Sequence, residues 1–323
     1  MAVQNHHSSS STEHLPKVLL YGPPSLSSII KPHPSHNFQI LNQFLPTHAS
    51  SIHAVVTTDV SFLVNADLIG LLPSLRLVVT GSAGTDHVDL SECRRRGIQV
   101  ASAGNLYSDD VADLAVALLI DVTWKISAAD TNFRRRLQPP SWDFPSSSKL
   151  AGKKVGIVGL GKIGLEVAKR LEAFGCTILY NSRNKKPFVS YPFYSSVVEL
   201  ASNSNVLVLC CDLNDQTKHI INREAMLALG KEGIIVNVGR GSLIDERELL
   251  KCLMEGEIRG AGLDVFENEP QVPKEFFSLD NVVLSPHAAV LTFESLIGIS
   301  QLMERNLQAF FSNKPLLTPV KFD

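Results

Sequence analysis

The stretch that decides the fold is VGIVGLGKIG, residues 155–164. A short apolar run ends here in the pattern G-x-G-x-x-G, and an amphipathic segment over residues 165–174 follows without a break. This order predicts a strand, a tight turn and the N-terminus of a helix. Gly159 lets the chain turn sharply, Gly161 lets a pyrophosphate approach the backbone, and Gly164 lets the helix pack against the sheet. The N–H groups and the positive dipole end of the helix would then face the phosphates of a dinucleotide.

The segment after this motif predicts which dinucleotide is bound. A second β-rich run at residues 177–180 follows at the spacing of a βαβ unit, and it ends in NSRNKK, residues 181–186, without an acidic residue. A site for NAD usually places Asp or Glu here, on the ribose hydroxyls. Arg183 and Ser182 can instead hold a 2′-phosphate by charge-assisted hydrogen bonds. The alternative is a solvated basic turn; we predict NADPH as the cofactor, with NADH weaker.

Composition limits the class of protein. A chain of 323 residues is long enough for two domains, and 30 Lys and Arg against 32 Asp and Glu give a net charge of −2. No overall field therefore attracts nucleic acid or a membrane surface, and no apolar run reaches the roughly 18 residues of a membrane span. Five cysteines without a C-x-x-C pair predict no metal site, no disulfide framework and a reducing cytoplasm. Residues 1–14 are polar and are predicted to be a disordered tail.

The first hundred residues alternate strand and helix patterns, which predicts a small βα domain with a parallel sheet. Strands are expected at 18–21, 38–41, 54–57, 75–80 and 98–100, and helices at 66–72 and 90–96. The loop GSAGTDH, residues 81–87, follows one of these strands. Small residues at this place either expose N–H groups that bind a carboxylate or form a plain βα turn.

The rest of the chain continues the alternation. A long apolar helix is expected from Val111 to about Arg134, followed by a Pro/Ser-rich loop at 138–148 in which Trp142 either packs locally or reaches a neighbouring active site. Later strands are expected at 206–210, 234–238, 260–265 and 282–284, and later helices at 223–229, 246–255 and 292–311. We therefore predict a two-domain α/β protein: a Rossmann-type, doubly wound parallel sheet at 102–290, inserted into a smaller flavodoxin-like βα domain made of 15–101 and 291–323.

Three polar side chains each follow a buried strand of the second domain. Arg240 follows the run VNVG, Glu269 lies in ENEP after the LDV strand, and His287 follows VVLSP. Each alone would more often be structural. Ligands bind at the carboxyl ends of the strands in such sheets, so three of these groups beside a nicotinamide site point to catalysis.

Four motifs together resemble the D-2-hydroxyacid dehydrogenase family over nearly the whole chain. They are VGLGKIG at 158–164, NVGRG at 237–241, GLDVFENEP at 262–270 and SPH at 285–287. Within that family the chain is most similar to the plant glyoxylate/hydroxypyruvate reductase branch, close to the hydroxyphenylpyruvate reductases. The resemblance makes the smaller domain the substrate domain.

The resemblance also implies roles for single residues. Arg240 would hold the carboxylate of a 2-oxo acid and polarise its keto oxygen, a task suited to a planar charged fork. His287 would donate a proton to that oxygen while the nicotinamide delivers hydride, and Glu269 would favour the charged imidazolium. Backbone amides around Ala83 and Gly84 would take the substrate carboxylate. The cofactor would be bound by Gly159, Leu160, Gly161, Lys162, Ile163, Gly164, Ser182, Arg183 and Asp264.

The implied activity is the NADPH-dependent reduction of small 2-oxo acids, glyoxylate to glycolate and hydroxypyruvate to D-glycerate, by a homodimer. Two alternatives stay open: a reductase of aromatic 2-oxo acids such as hydroxyphenylpyruvate, and a dinucleotide-sensing binding protein like the corepressors of the family. Ala83 stands where the family more often has Val, and the residues at 288–291 replace a glycine-rich turn. Both departures touch the predicted substrate pocket, so the substrate range stays open.

Overall fold

The computed structural model describes residues 15–22, 37–58, 61–134 and 147–322. The chain divides into two compact units: one is Tyr107–Thr292, and the other joins the described residues up to Leu106 with those from Phe293 onward. The sequence places these boundaries slightly earlier, after residues 101 and 290. The structure moves both to the start of a helix, since the chain enters each unit through a helical segment. The tail predicted at 1–14 lies outside the described residues, as do Trp142 and most of the loop around it.

The discontinuous unit contains a five-stranded sheet in the order β2-β1-β3-β4-β5, with all neighbours parallel. This is the strand order of flavodoxin-like sheets. Polar side chains begin its first two helices, because the carboxamide of Asn65 and the carboxylate of Asp89 accept backbone N–H groups of the first turn. The elements are β1 Lys17–Tyr21, β2 Gln39–Leu41, β3 Ile52–Thr57, α1 Ala66–Leu71, β4 Leu77–Thr80, α2 Leu90–Arg96, β5 Gln99–Ala101 and, after the inserted unit, α9 Phe293–Phe311.

The continuous unit contains a seven-stranded parallel sheet in the order β12-β11-β10-β9-β6-β7-β8. Its strands are nearly continuous apolar runs, as expected where helices cover both faces of a parallel sheet. The elements are α3 Ser108–Trp124, α4 Ile126–Arg134, β6 Lys154–Val158, α5 Lys162–Ala173, β7 Thr177–Asn181, β8 Phe193–Tyr194, α6 Val197–Ser202, β9 Val206–Leu209, α7 Arg223–Leu229, β10 Ile234–Asn237, α8 Glu246–Met254, β11 Gly260–Leu263 and β12 Val282–Leu284.

The strand order of this sheet reverses between β6 and β9. The chain runs outward from β6 to β7 and β8, and then returns to place β9 on the other side of β6. Such a reversal opens a crevice at the carboxyl ends of the strands, where dinucleotides bind in doubly wound folds. The sequence motif at residues 159–164 follows β6 and therefore lies at this point.

The long helix predicted from Val111 to about Arg134 is wrong as a single element. It begins at Ser108 and is interrupted at Lys125, whose φ of 57° is left-handed. The carboxylate of Asp121 accepts the backbone N–H of Ser127 at 2.8 Å, which starts the second helix. No Gly or Pro lies at this break, so the pattern of apolar residues does not predict it. The short elements β8 and α6 were not predicted either. None of the helices in the described ranges is long and apolar enough to cross a membrane.

Candidate active site

The glycine motif forms a turn packed too closely for side chains at two of its three glycines. Gly159 has a φ of 96°, and a methyl group there would lie 2.5 Å from the backbone nitrogen of Cys211. A methyl group at Gly164 would lie 2.3 Å from the carbonyl oxygen of Gly159. A methyl group at Gly161 would meet nothing within 4 Å. Gly159 and Gly164 therefore shape the turn, while Gly161 leaves open space in front of it.

The N-terminus of α5 fits a dinucleotide pyrophosphate. Gly161 is its N-cap and contributes no side chain that would satisfy the first N–H groups, and the first turn holds no acidic residue. Those groups, from Lys162, Ile163 and Gly164, have no partner four residues earlier within the helix, and the dipole adds positive potential. Leu160, just before the cap, is buried and anchors the turn. Anions bind readily at such a helix end.

The turn after β7 carries the residues expected to choose between the two dinucleotides. Arg183 is exposed, and Ser182 is partly buried with its hydroxyl donating to the carbonyl of Asn184 at 2.6 Å. The hydroxyl of Tyr180 accepts the backbone N–H of Lys186 at 2.8 Å and closes the turn from the other side. The turn presents basic groups and no carboxylate between residues 181 and 186.

Glu269 and His287 form a direct pair. The ring Nδ1 of His287 lies 2.7 Å from Oε2 of Glu269, while the other carboxylate oxygen accepts the backbone N–H of Phe266 at 2.9 Å. Burial works against ionisation of Glu269, but hydrogen bonds from His287 and Phe266, with the charges of His287 and Arg240, outweigh it and hold the pKa of Glu269 below its usual value. The carboxylate is therefore ionised at neutral pH, and with Nδ1 engaged, Nε2 is the ring nitrogen left for a substrate.

Arg240 lies on a turn that a buried amide braces. The side chain of Asn237 donates to the carbonyl of Arg240 at 2.9 Å and accepts from the N–H of Gly239 at 3.1 Å. Arg240 is the N-cap residue of a short 3-10 helix, Gly241–Leu243, and one of its guanidinium nitrogens donates to the carbonyl of Gly239 at 2.9 Å. The backbone of Gly241, the next residue, lies directly against Phe266 and Glu267. The structure thus places the turn of Arg240 beside the turn of Glu269, and the charge of Arg240 is among those that lower the pKa of Glu269.

Asp264 orients the loop that carries His287. Its side chain is 1% exposed, and its carboxylate oxygens accept the backbone N–H groups of Ala288 at 2.8 Å and Ala289 at 3.2 Å. Its carbonyl accepts the N–H of His287 at 2.7 Å, at a left-handed backbone with φ 54°. The predicted contact of Asp264 with the nicotinamide stays a prediction; what the structure shows is a support for the histidine loop.

Ala83 and Gly84 belong to the other compact unit, in the loop after β4. Ala83 is exposed and Gly84 is partly buried. The hydroxyl of Thr80 accepts the backbone N–H of Ser82 at 3.1 Å and lies 2.9 Å from Nε2 of the buried His87. The side chain of Thr80 therefore supports the start of this loop, while its tip at Ala83 is exposed to solvent. Binding of a substrate carboxylate there stays a prediction.

Two contacts that hold the site together were not predicted from the sequence. Asn237, which braces the turn of Arg240, ends a buried strand, and a polar residue in that place is the only signal that could have found it. His219 pairs with Glu267 at 2.7 Å, although 48 residues separate them in the chain. No local spacing announces such a contact. Among the described residues, no group of three or more His, Cys, Asp or Glu side chains could hold a metal ion.

Comparison with known proteins identifies the family. The model of the D-isomer specific 2-hydroxyacid dehydrogenase NAD-binding domain matches residues 116–289, more than half of the chain. The chain belongs to the D-isomer specific 2-hydroxyacid dehydrogenase family. Members of this family are NAD(P)H-dependent oxidoreductases, so the glycine turn and the crevice at β6 belong to an NAD(P)-binding domain.

Relatives within the D-2-hydroxyacid dehydrogenases cover nearly the whole chain. A glyoxylate/hydroxypyruvate reductase of Arabidopsis thaliana, HPR3, is 53% identical over 95% of this chain and 98% of its own. A hydroxyphenylpyruvate reductase of Plectranthus scutellarioides is 49% identical over 86% of this chain and 88% of its own. A solved NADPH-dependent glyoxylate/hydroxypyruvate reductase of Sinorhizobium meliloti, in complex with NADP and malonate, aligns with a TM-score of 0.85 at 32% identity, covering 94% of this chain and 96% of its own.

Proposed function

We propose that the protein reduces small 2-oxo acids with NADPH, converting glyoxylate to glycolate and hydroxypyruvate to D-glycerate. The observation that carries the proposal is the hydrogen-bonded Glu269–His287 pair, with the charge of Arg240 acting on the same carboxylate. A proton donor and a fixed cation are what the reduction of a 2-oxo acid requires of the protein. Similarity to two plant reductases of glyoxylate and hydroxypyruvate supports this choice of substrate.

Each side chain has a distinct task in this reaction. Arg240 binds the substrate carboxylate and polarises the keto oxygen, and N–H groups at Ala83 and Gly84 add to the binding of the carboxylate. His287 donates the proton from Nε2 to the keto oxygen, while the ionised Glu269 lies against Nδ1 and keeps the ring in place. The bound nicotinamide supplies the hydride. Asp264 keeps the backbone of the histidine loop in place and is expected to contact the nicotinamide carboxamide.

NADPH is the proposed cofactor, with NADH weaker. The turn at Ser182 and Arg183 offers a hydroxyl and a guanidinium, with no carboxylate that would repel a 2′-phosphate. The Sinorhizobium meliloti relative is NADPH-dependent by its name and was solved with NADP. The pyrophosphate of the cofactor is bound by the turn at residues 159–164, which consists of Gly159, Leu160, Gly161, Lys162, Ile163 and Gly164.

We propose a cytoplasmic homodimer that binds neither nucleic acid nor membranes. The five cysteines are free thiols, which suits a reducing compartment, and the net charge of −2 provides no general attraction for polyanions. Large apolar side chains are exposed at the end of α3 and along α4, where Trp124 is 52% and Phe133 is 77% exposed. Exposed apolar surface of this kind marks protein–protein contacts.

Turnover of a substrate panel tests the proposed activity. NADPH oxidation would be followed with glyoxylate, hydroxypyruvate, hydroxyphenylpyruvate and pyruvate, each with NADPH and NADH. The highest kcat/KM is expected for glyoxylate or hydroxypyruvate with NADPH. A preference for hydroxyphenylpyruvate would favour the second candidate, which the 49% identity to a hydroxyphenylpyruvate reductase supports. Binding of NADPH without turnover of any acid would support the corepressor-like alternative instead.

A further inference from the structure

Two turns carry two of the three proposed catalytic groups of the continuous unit. The arginine turn, residues 237–243, carries Arg240, and the carboxylate turn, residues 265–271, carries Glu269. The carboxylate turn is closed by a backbone hydrogen bond of 2.8 Å from Gln271 to Asn268 and by the bond from Phe266 to Glu269. Each turn is thus well formed by its own contacts, but neither set of contacts fixes the distance from one turn to the other.

The two turns meet at Gly241. A methyl group on Gly241 would lie 1.9 Å from the carbonyl carbon of Phe266 and 2.3 Å from the backbone nitrogen of Glu267. The backbones are therefore in direct contact, with no side chain between them. The paired strands β10 and β11 hold the starts of the two turns together, since the N–H of Asp264 donates to the carbonyl of Asn237 at 3.0 Å. Farther along, the contact at Gly241 prevents a closer approach but does not prevent the turns from separating.

His219 connects the same two turns by hydrogen bonds. Its backbone N–H donates to the carbonyl of Ser242 in the arginine turn at 2.8 Å. Its ring Nε2 lies 2.7 Å from Oε1 of Glu267 in the carboxylate turn. His219 itself has a left-handed backbone conformation with φ 51°. Two residues later, the N–H of Ile221 donates to the carbonyl of Leu243 at 3.0 Å.

A buried carboxylate adds a second hydrogen bond to Glu267. Glu246, the first residue of α8, is 8% exposed and accepts the backbone N–H of Glu267 at 3.0 Å. Burial raises the pKa of Glu246, and the negative charges of Glu267 and Glu269 add to this, while the bond from Glu267 opposes it. Glu267 is thus held through both its backbone and its side chain, and it is two residues away from Glu269.

We propose that His219 is a positioning residue which, through Glu267, fixes the separation between Arg240 and the Glu269–His287 pair. This inference rests on the proposed function, since it assigns His219 a part in the same reduction. Substrate must contact Arg240 and His287 at once, and small displacements of such groups reduce rates strongly. The side chain of His219 need not touch the substrate for this role.

Variants of both partners test the link. His219→Asn tolerates the left-handed backbone but shortens the donor, and Glu267→Ala removes the acceptor. For either, we expect kcat with glyoxylate to fall roughly tenfold to a hundredfold while the KM for NADPH stays unchanged, because only the spacing over the substrate is altered. Glu267→Gln keeps an acceptor oxygen and should retain kcat within about threefold of the wild type. The double variant should be no slower than the slower single variant.

Arg223→Ala serves as the matched control. Arg223 forms ion pairs with Glu248, Glu255 and Glu257 in the same unit, so its loss should lower the melting temperature without changing kcat. If His219→Asn does not fold, the comparison of Glu267→Ala with Glu267→Gln still tests the link. A wild-type kcat in both His219→Asn and Glu267→Ala would overturn this inference and leave the proposed function standing. Equal losses of kcat in Glu267→Ala and Glu267→Gln would do the same. A wild type that turns over none of the four acids would overturn the proposed function first.

Discussion

Arg240 is the side chain whose removal tests the proposed chemistry most directly. Arg240→Ala should lower kcat/KM for glyoxylate by about 10²–10³, the usual cost of losing one donor that stabilises the developing oxyanion. Arg240→Lys should restore little of this, because an ammonium lacks the planar fork that holds a carboxylate. Steady-state kinetics measure the loss, and NADPH binding by fluorescence should be unchanged. Arg247→Ala, an exposed residue on α8, is the control and should behave as the wild type.

Glu269 should hold the ring of His287 in the orientation that the reaction needs. Its carboxylate lies 2.7 Å from Nδ1 of His287, which leaves Nε2 for the substrate. Glu269→Ala should therefore lower kcat with glyoxylate roughly tenfold to a hundredfold, because loss of this contact releases the ring. NADPH binding should be unchanged, and a wild-type kcat in Glu269→Ala would contradict this role.

The same carboxylate should make stability depend on pH. Because the pKa of Glu269 is lowered by folding, its contribution is fully present above the ordinary pKa of a glutamate and is lost as the pH falls through the lowered value. Wild type and Glu269→Gln should therefore differ in free energy of unfolding at neutral pH and converge in acid. Urea titrations at pH 7 and near pH 3 compare them. A difference that grows toward acid would contradict the sign.

The positions of the three proposed catalytic residues at the ends of strands could be predicted from the sequence. The residues that hold them in place could not. Arg240, Glu269 and His287 each follow a strand of the seven-stranded sheet, as the apolar runs followed by polar residues predict. His219 lies in a loop far from Glu267 in the chain, and only the fold brings their side chains together. Asp264 accepts the backbone N–H groups of residues 288 and 289, a support that no local spacing in the sequence indicates, while its contact with the nicotinamide stays a prediction.

The turn between β6 and α5 should separate a folding effect from a binding effect. Gly164→Ala forces a methyl group against the carbonyl of Gly159, and overpacking of this kind costs about 1–3 kcal/mol. Gly161→Ala meets open space with φ −88°, so stability should be kept while NADPH affinity falls, because the methyl group occupies the approach of the pyrophosphate. Thermal melts and NADPH titrations distinguish the two, and Gly70→Ala in α1 is a control for glycine replacement. Equal melting temperatures and equal NADPH affinities in the two variants would contradict these separate roles of Gly161 and Gly164.

The turn after β7 should decide between NADPH and NADH. Hydrogen bonds to charged groups contribute about 1.5–3 kcal/mol, so Arg183→Asp should lower the ratio of kcat/KM for NADPH over NADH roughly ten- to hundredfold. The added carboxylate also suits the ribose hydroxyls of NADH. Lys251→Asp makes the same charge change at an exposed position on α8 and should leave the ratio unaltered. An unchanged ratio in Arg183→Asp would show that Arg183 does not determine the preference for NADPH.

Elements were predictable where apolar periodicity alone defines them. The bounds of α2 and α7 agree with the sequence patterns because capping residues, Asp89, Gly97 and Gly230, mark their ends. The bounds of β12 agree as well. The break at Lys125 was missed because a side chain of the preceding helix, Asp121, creates it. The two-residue strand β8 is too short to show any period.

The whole molecule is expected to be a dimer, and α4 offers the means to test this. Ile126 and Phe133 are seven residues apart, on one face of a helix, and both are exposed. Phe133→Glu should convert the dimer to a monomer in sedimentation velocity, since a charge in an apolar interface is costly. Leu71→Glu, at an exposed apolar position of the other unit, is the matched control and should leave the dimer intact. A wild type that sediments as a monomer would contradict the proposal.

The sequence predicted the α/β class and the nucleotide-binding half correctly because parallel sheets require long apolar strands separated by helices. The exact residues at which the chain passes between the units could not be predicted, because helices α3 and α9 begin there without a composition change.

The open tip of the loop after β4 has a consequence for directed evolution. Ala83 is exposed, so larger or polar side chains there should change the free energy of unfolding by no more than about 0.5 kcal/mol. Gly241, by contrast, has no room for one added carbon. A mutant library that aims to broaden the range of acids should therefore diversify residue 83 and leave residue 241 untouched, since most of its members would then still fold.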